Sequence, residues 1–284
     1  ALVATLWAVG QPGHLDLGQK ALLVIAMGLF AGQTSNAVAH ELIHRGSRPA
    51  RRLGTAIYCS LLNGQHVSAH LLLHHPYAGT AKDPCSAPLG RSYYRFAWDA
   101  GRGELVDGWR AENRRRNAAD GGLHPYLTYL CGAIASILAA WGLGGGAALV
   151  ALLLIALHAQ SQLLLSDYVQ HYGLQRRWLA SGRLEAMGPQ HSWNAPHAYS
   201  GAMMLNAPRH SDHHMKPGCS FSDLTLDTQT LPTLPYALPV MGAIALIPPL
   251  WRQIMDPKVR RWMPQQTNSN TPITTQNTTL ISAT

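Results

Sequence analysis

The stretch "LHPYLTYLCGAIASILAAWGLGGGAALVALLLIALHAQSQLLLS", residues 123–166, runs for 44 residues without a charged side chain. A helix needs about 20 apolar residues to span a bilayer, so this run is long enough to cross twice. "GLGGG" at 142–146 suits a tight turn in its middle. The reading is a helical hairpin, with Pro125–Trp141 as one leg and Ala147–Ser166 as the other. A pair of long helices in a soluble core is the alternative, but neither leg carries the polar stripe that water would require. Two further uncharged runs, 21–39 and 53–81, have 19 and 29 residues.

The averages conceal this segregation. Of 284 residues, 47% are hydrophobic and only 13% charged, and the formal net charge is +8. The arginines gather between the apolar runs: four in 45–52, five in 102–116 and three in 175–183, with none in 11–18 or 142–146. By the positive-inside rule the arginine-rich side is cytosolic. The positive charge therefore needs no nucleic acid, and no aromatic–basic groove pattern suggests one. Segment 53–75 would carry its histidines to the far side if it crossed, so a shared site requires it to lie along the interface or re-enter. "NGQHVSAH" is polar enough for that.

The expected fold is all-α: polytopic membrane helices beneath a cytosolic, histidine-rich cap. A membrane domain takes 1–174, with helices at about 1–10 (partial), 19–44, 54–75 (interfacial), 125–141 and 147–173, and a cytosolic loop at 76–122. The cap takes 175–264, and the uncharged, threonine-rich 265–284 reads as a disordered tail. Segment 228–251, uncharged but with five prolines, reads as interface-hugging or packed on the cap. "ALVATLW" at the start resembles the end of an apolar helix already under way. The four cysteines (59, 85, 131, 219) stand singly, which excludes an iron–sulfur or rubredoxin-type site within the chain and suits a reducing cytosol.

Histidine carries the chemistry. The chain holds 15, more than its 14 carboxylates, and three groups are tight: "HELIH" (40–44), "HLLLHH" (70–75) and "RHSDHH" (209–214). Residues four apart share a helix face, and those three apart nearly do. His40 with His44, His70 with His74 and His75, and His210 with His213 and His214 thus form three chelating sets on one membrane side. His171 in "DYVQHYGL" leaves the bilayer on that same side and makes nine. A catalytic zinc site usually takes three protein ligands, whereas nine divided over two ions gives each four or five. Imidazole suits Zn, Cu, Fe and Ni alike. Read as the zinc-protease HExxH with Glu41 as base, "HELIH" would leave seven clustered histidines idle. His158 reads as a packing residue, His14, His124 and His197 as loop or interface residues, and His66 and His191 as neighbours of the clusters. Glu41, Asp83 and Asp212 could orient imidazoles through their free N–H groups, or simply face solvent.

Together "HELIHR", "HLLLHH", "DYVQHYGL" and "NAPRHSDHH" resemble the membrane-bound alkane 1-monooxygenases, within the histidine-box desaturase and hydroxylase superfamily, with xylene monooxygenase close by. "AKDPCSAPLGRSYYRF" (81–96), "HSWNAPHAYS" (191–200) and "ALIPPLWRQIMDP" (245–257) agree, so the resemblance covers roughly 18–264. It implies six membrane helices, of which two or three would precede this chain, and a diiron, non-haem centre under a cytosolic cap. The implied iron ligands are His40, His44, His70, His74, His75, His171, His210, His213 and His214. The resemblance further implies a separate rubredoxin with its reductase as electron donor, docked on the arginine-rich loops, together with O2, an alkane and the inner membrane. Two places depart from the family. Ala69 and Leu73 stand where Glu and Gly are usual in the second box, and Gln170 stands where Glu precedes the "HYG" histidine, so carboxylates around the metals could be missing. The rival readings are a fatty-acyl desaturase or hydroxylase with the same irons, a membrane metal-binding or transport protein, and an inactive relative.

Overall fold

The computed structural model of the protein describes residues 1–118 and 122–263, and the expected tail at 265–284 lies outside them. Its longest element, α8 (Pro125–His171), folds back on itself at Gly144 and Gly145. Gly145 has φ +58°, a left-handed backbone that glycine adopts without the steric penalty of a Cβ. The reversal therefore falls within "GLGGG" and makes two antiparallel limbs.

Beside the hairpin lie α1 (Leu2–Gly10) and a long helix made of α2 (Leu17–Phe30), a π turn (Ala31–Ser35) and α3 (Asn36–Ile43). Asp16 starts α2 with a capping box: its carboxylate accepts from Gln19 N at 2.9 Å, and the Gln19 side chain accepts from Asp16 N at 3.1 Å. Leu6, Val9, Met27, Ala31, Leu152 and Ile155 form the packed seam between these helices. Leu17–Ile43 and Pro125–His171 are each long and apolar enough to cross a membrane. Leu130, Ile134, Leu138, Leu154 and Leu157 face outward, a surface that a bilayer covers better than water.

The uncharged run that begins at Leu53 does not continue straight. It lies in α4 (Arg48–Ser60), capped by Ser47, and then in α5 (Gln65–Ala69), a π turn (His70–His74) and α6 (His75–Tyr77). The chain turns between α4 and α5, where Leu62 has φ +55°, and α5 brings His70 back beside His44.

Residues 76–122, expected as a loop, instead contain α7 (Tyr93–Asn117), 25 residues long. Beyond α8 come α9 (Ala198–Met203), α10 (His210–Met215), α11 (Leu238–Ala245) and α12 (Pro248–Trp262). Their core is aromatic: Tyr168, Tyr172, Trp193 and Trp251 are buried with Met241, Met255 and Val259. Among the described residues there are only two isolated bridges and no strand.

Candidate metal centre

Nine imidazoles converge where α3, the second π turn, the end of α8 and α10 meet. His40, His44, His70, His75 and His213 form one group, and His74, His171, His210 and His214 a second. The groups adjoin, since the rings of His75 and His214 are 4.8 Å apart.

The expected grouping of residues four apart is seen for His40 with His44 and for His210 with His214. It fails for His70 and His74, which serve different groups. The cause is the π turn. Its i→i+5 bonding, here His75 N–H to His70 O, stacks residues five apart instead of four. His70 therefore meets His75, with their Nε2 atoms 2.9 Å apart.

In each group three Nε2 atoms form a closed triangle. His44–His70, His44–His75 and His70–His75 stand at 3.0, 3.1 and 2.9 Å. His171–His210, His171–His214 and His210–His214 stand at 2.9, 3.1 and 3.1 Å. A neutral imidazole nitrogen carries either a proton or a lone pair. Around any triangle at least one pair must then be proton against proton or lone pair against lone pair. Hydrogen bonding cannot satisfy six such atoms. A cation can, because all three lone pairs of a triangle then point at it. Ligands at right angles with metal–nitrogen bonds of about 2.1 Å lie about 3.0 Å apart, the spacing seen.

The electrostatics agree. Burial, reinforced by neighbouring imidazoles, pushes His44 down to about 4 and holds His70, His75, His210, His213 and His214 well below the usual histidine range. These rings stay neutral, the form that binds metal. His74 differs: burial, the largest influence, would lower it, but Asp83 together with Asp167 and Glu104 raises it to about 9. Burial alone would raise Asp83, and His74 instead holds that carboxyl below its ordinary value. The Asp83 carboxylate accepts from His74 Nδ1 at 2.9 Å, and from Ser86 Oγ at 2.6 Å. His74 Nε2 is buried without a hydrogen-bond partner, so it can turn to a cation once its proton leaves.

Of the three acidic residues considered as supports, Asp83 alone touches a clustered imidazole. Glu41 pairs with Arg45 and accepts from Phe221 N at 3.1 Å, tying the first box to the cap. Asp212 accepts from Thr225 N at 2.8 Å and pairs with Lys216 at 3.0 Å, which steadies the loop after α10. Gln170 donates to Ala207 O at 3.1 Å and accepts from Ser166 Oγ at 2.9 Å, a packing role in place of a carboxylate.

Sequence reading passed over Asn194, Glu104 and Asp167. Asn194 accepts from Ser211 N at 2.9 Å and donates to Ser211 Oγ at 2.8 Å, so it fixes the first turn of α10. Glu104, on α7, lies 2.8 Å from His66 Nδ1, and Asp167 is buried in the return limb. Glu104 lies in no quoted motif, because only the fold brings α7 to the centre, whereas Asp167 opens "DYVQHYGL" one helical turn before His171, a signal that could have found it. His66 stacks 5.2 Å from His70. His191 accepts from Gly188 N at 2.9 Å, while His158 lies in the hairpin against Gly28. His124 caps α8, His197 precedes α9 and His14 packs on Trp7.

A cavity of about 40 Å³ opens on the centre beside His40, His70 and His210, walled by Gly32, Gln33, Leu163 and Asp167. A second, apolar groove of about 830 Å³ lies between α2 and the return limb, lined by Val24, Ile25, Leu154 and Leu157. Gln33, which lines the small cavity, meets Gln162 at 3.4 Å.

The sequence pattern of the fatty acid desaturase family matches residues 19–242. The chain is 30% identical over 265 residues to alkane 1-monooxygenase 2 of Pseudomonas aeruginosa, covering 92% of this chain and 70% of that protein. The chain belongs to the alkane monooxygenase branch of the fatty acid desaturase family. Alkane 1-monooxygenase 1 of P. aeruginosa is 32% identical over 84% of this chain, and the enzyme of Ectopseudomonas oleovorans 31% over 92%. The chain spans 63% and 66% of the lengths of these two relatives. The hydroxylase component of xylene/toluene monooxygenase from Pseudomonas putida is 28% identical over 89% of the chain. In alkane monooxygenase terms, all four quoted boxes lie within the matched residues.

Proposed function

We propose that the protein hydroxylates the terminal carbon of alkanes to primary alcohols at a two-iron centre, drawing on O2 and on electrons from a separate rubredoxin and its reductase. The observation that carries the reading is the pair of imidazole triangles beside a methyl-sized cavity. Nine imidazole nitrogens, with His74 giving up its Nε2 proton as the cation binds, fit two divalent ions with coordination positions left open, and a reaction with O2 favours redox-active iron over zinc. Two irons there would supply the redox chemistry that activates O2.

The chain's own residues do the rest. Asp83 fixes the His74 tautomer and ring direction. The cavity beside His40, His70 and His210 has room for one methyl or water-sized group, which favours attack at a chain end. The apolar groove accepts a hydrocarbon directly from the acyl region, and Gln33, held by Gln162, shapes the wall of the small cavity. No side chain is required as nucleophile. The centre lies on the arginine-rich side, which in the inner membrane is cytosolic and open to an acidic electron carrier.

The test is elemental analysis of the detergent-purified enzyme together with turnover of octane by added rubredoxin, reductase and NADH. About two irons per chain and 1-octanol as product are expected. Two irons with an unsaturated or acyl-hydroxylated product would move the reading to a desaturase. Zinc alone, or no bound metal, would sink it.

A further inference from the structure

Along α7, Tyr94, Trp98, Leu105 and Trp109 are 59%, 76%, 52% and 46% exposed. Their spacing of four, seven and four residues puts them on one stripe of the helix. The opposite face is buried through Phe96, Ala100, Gly103 and Ala111. Arg95 and Arg102, both exposed, flank the stripe. Large aromatic side chains exposed in a row are unusual on a surface that meets only water.

The height of α7 against the hairpin gives the stripe its partner. Near the start of α7, Tyr93 OH donates to Ser161 O at 2.7 Å, sixteen residues beyond Gly145. Near its end, Trp109 stacks on His124 with centroids 4.2 Å apart and meets Tyr126 edge-on. Tyr126 lies eighteen residues before Gly144. At 1.5 Å per residue these pins stand about 24 and about 27 Å from the hairpin tip. Two pins at nearly one height lay α7 parallel to the membrane plane. A hydrocarbon core about 30 Å thick puts that plane at the headgroup boundary. Tyr94 OH also donates to Leu246 O at 2.8 Å, which joins the stripe to exposed Leu246, Ile247 and Leu250 at the α11–α12 corner.

We propose that α7 is an interfacial helix, with Tyr94, Trp98, Leu105 and Trp109 seated in the headgroup layer of the bilayer and Arg95 and Arg102 among anionic headgroups. Tryptophan and tyrosine favour this level because their rings are apolar with one polar edge. Arginine stems lie along the apolar surface while their heads stay at the phosphates. The helix that carries Glu104 is thereby held at a fixed depth beneath the metal centre. The inference rests on the hairpin being in the membrane.

The test uses the full chain in nanodiscs with brominated phospholipid, reading tryptophan emission as the difference between the protein and its Trp98→Phe variant. Trp98's share should fall roughly twofold in brominated lipid, as for an indole at the interface, and should be largely shielded from acrylamide. Moving the reporter to the aqueous side, with Arg110→Trp in the Trp98→Phe background, should reverse both results. Trp141, exposed on the hairpin, is the control, read through Trp141→Phe. If Trp141 is quenched by lipid while positions 98 and 110 respond alike to acrylamide, α7 lies clear of the bilayer and the proposal fails. If Trp141 too ignores the lipid, the membrane placement fails with it.

Discussion

His74 and Asp83, nine residues apart, meet at 2.9 Å in the buried heart of the protein. Ser86 Oγ and Cys85 N hold the same carboxylate from its other sides. Asp83 therefore cannot swing away, and His74 cannot rotate without losing its partner. Replacing Asp83 by Asn keeps the volume and removes the charge. Metal affinity at the second group should fall about 10- to 100-fold, with a comparable loss of turnover. Titration with a chelator, followed by elemental analysis, measures this; unchanged retention would remove Asp83 from the centre.

The split of neighbouring histidines predicts a separable loss. His213 belongs to the first group and His214 to the second, although they adjoin in sequence. His213→Gln and His214→Gln should each leave about one metal ion per chain, with different spectroscopic signatures for the ion that remains. Loss of both ions in each variant, with folding intact by circular dichroism, would mean a single shared centre.

Acid should strip the metal. His44 is lowered to about 4, and His70, His75, His210, His213 and His214 lie well below the usual range, whereas unfolded histidine titrates near 6.5. Below about pH 6.5 the unfolded chain thus binds more protons than the folded one, and stability falls as pH falls. His74, raised to about 9, has the opposite sign: its pairing with Asp83 is fully present below about 6.5 and is lost as pH rises through about 9. Five lowered rings and His44 outweigh one raised ring on the acid side. The melting temperature and the retained metal should both drop between pH 7 and pH 5. A flat profile over that interval would contradict the neutral-imidazole account.

Gly32 lets the π turn approach the return limb. A Cβ there would run into the side-chain amide of Gln162, which donates to Gly28 O at 3.0 Å. Gly32→Ala should displace Gln162 at a cost of about 1–3 kcal/mol and reshape the small cavity that Gly32 and Gln33 wall. Product analysis on alkanes of several lengths should show a changed chain-length profile, and Gln162→Ala in the Gly32→Ala background should restore stability. Without that rescue, the contact is not the cause.

Glu41 ties the first box to the cap through Arg45 and Phe221 N. Glu41→Gln should cost about 1–2 kcal/mol and leave metal content unchanged, since Glu41 touches no clustered imidazole. Metal loss in that variant, measured on folded protein, would return Glu41 to the centre.

The sequence by itself determined a good deal. Uncharged runs marked the helices of the apolar core, because burying charge in hydrocarbon is costly, and "GLGGG" marked the reversal, because Gly145 must adopt a positive φ. Histidine spacing marked the convergence, since nothing else gathers so many imidazoles. Three things waited for the tertiary structure. The division of the nine histidines follows from a π turn at His70–His74, and no residue pattern announces i→i+5 bonding. The choice of Asp83 over Glu41 and Asp212 as the imidazole's partner depends on which carboxylate the packed elements aim inward. The helix α7, hidden among mixed polar and apolar residues, acquires its stripe only when its other face is buried. Local periodicity determines which elements form; contacts between elements distant in sequence decide which polar atoms meet.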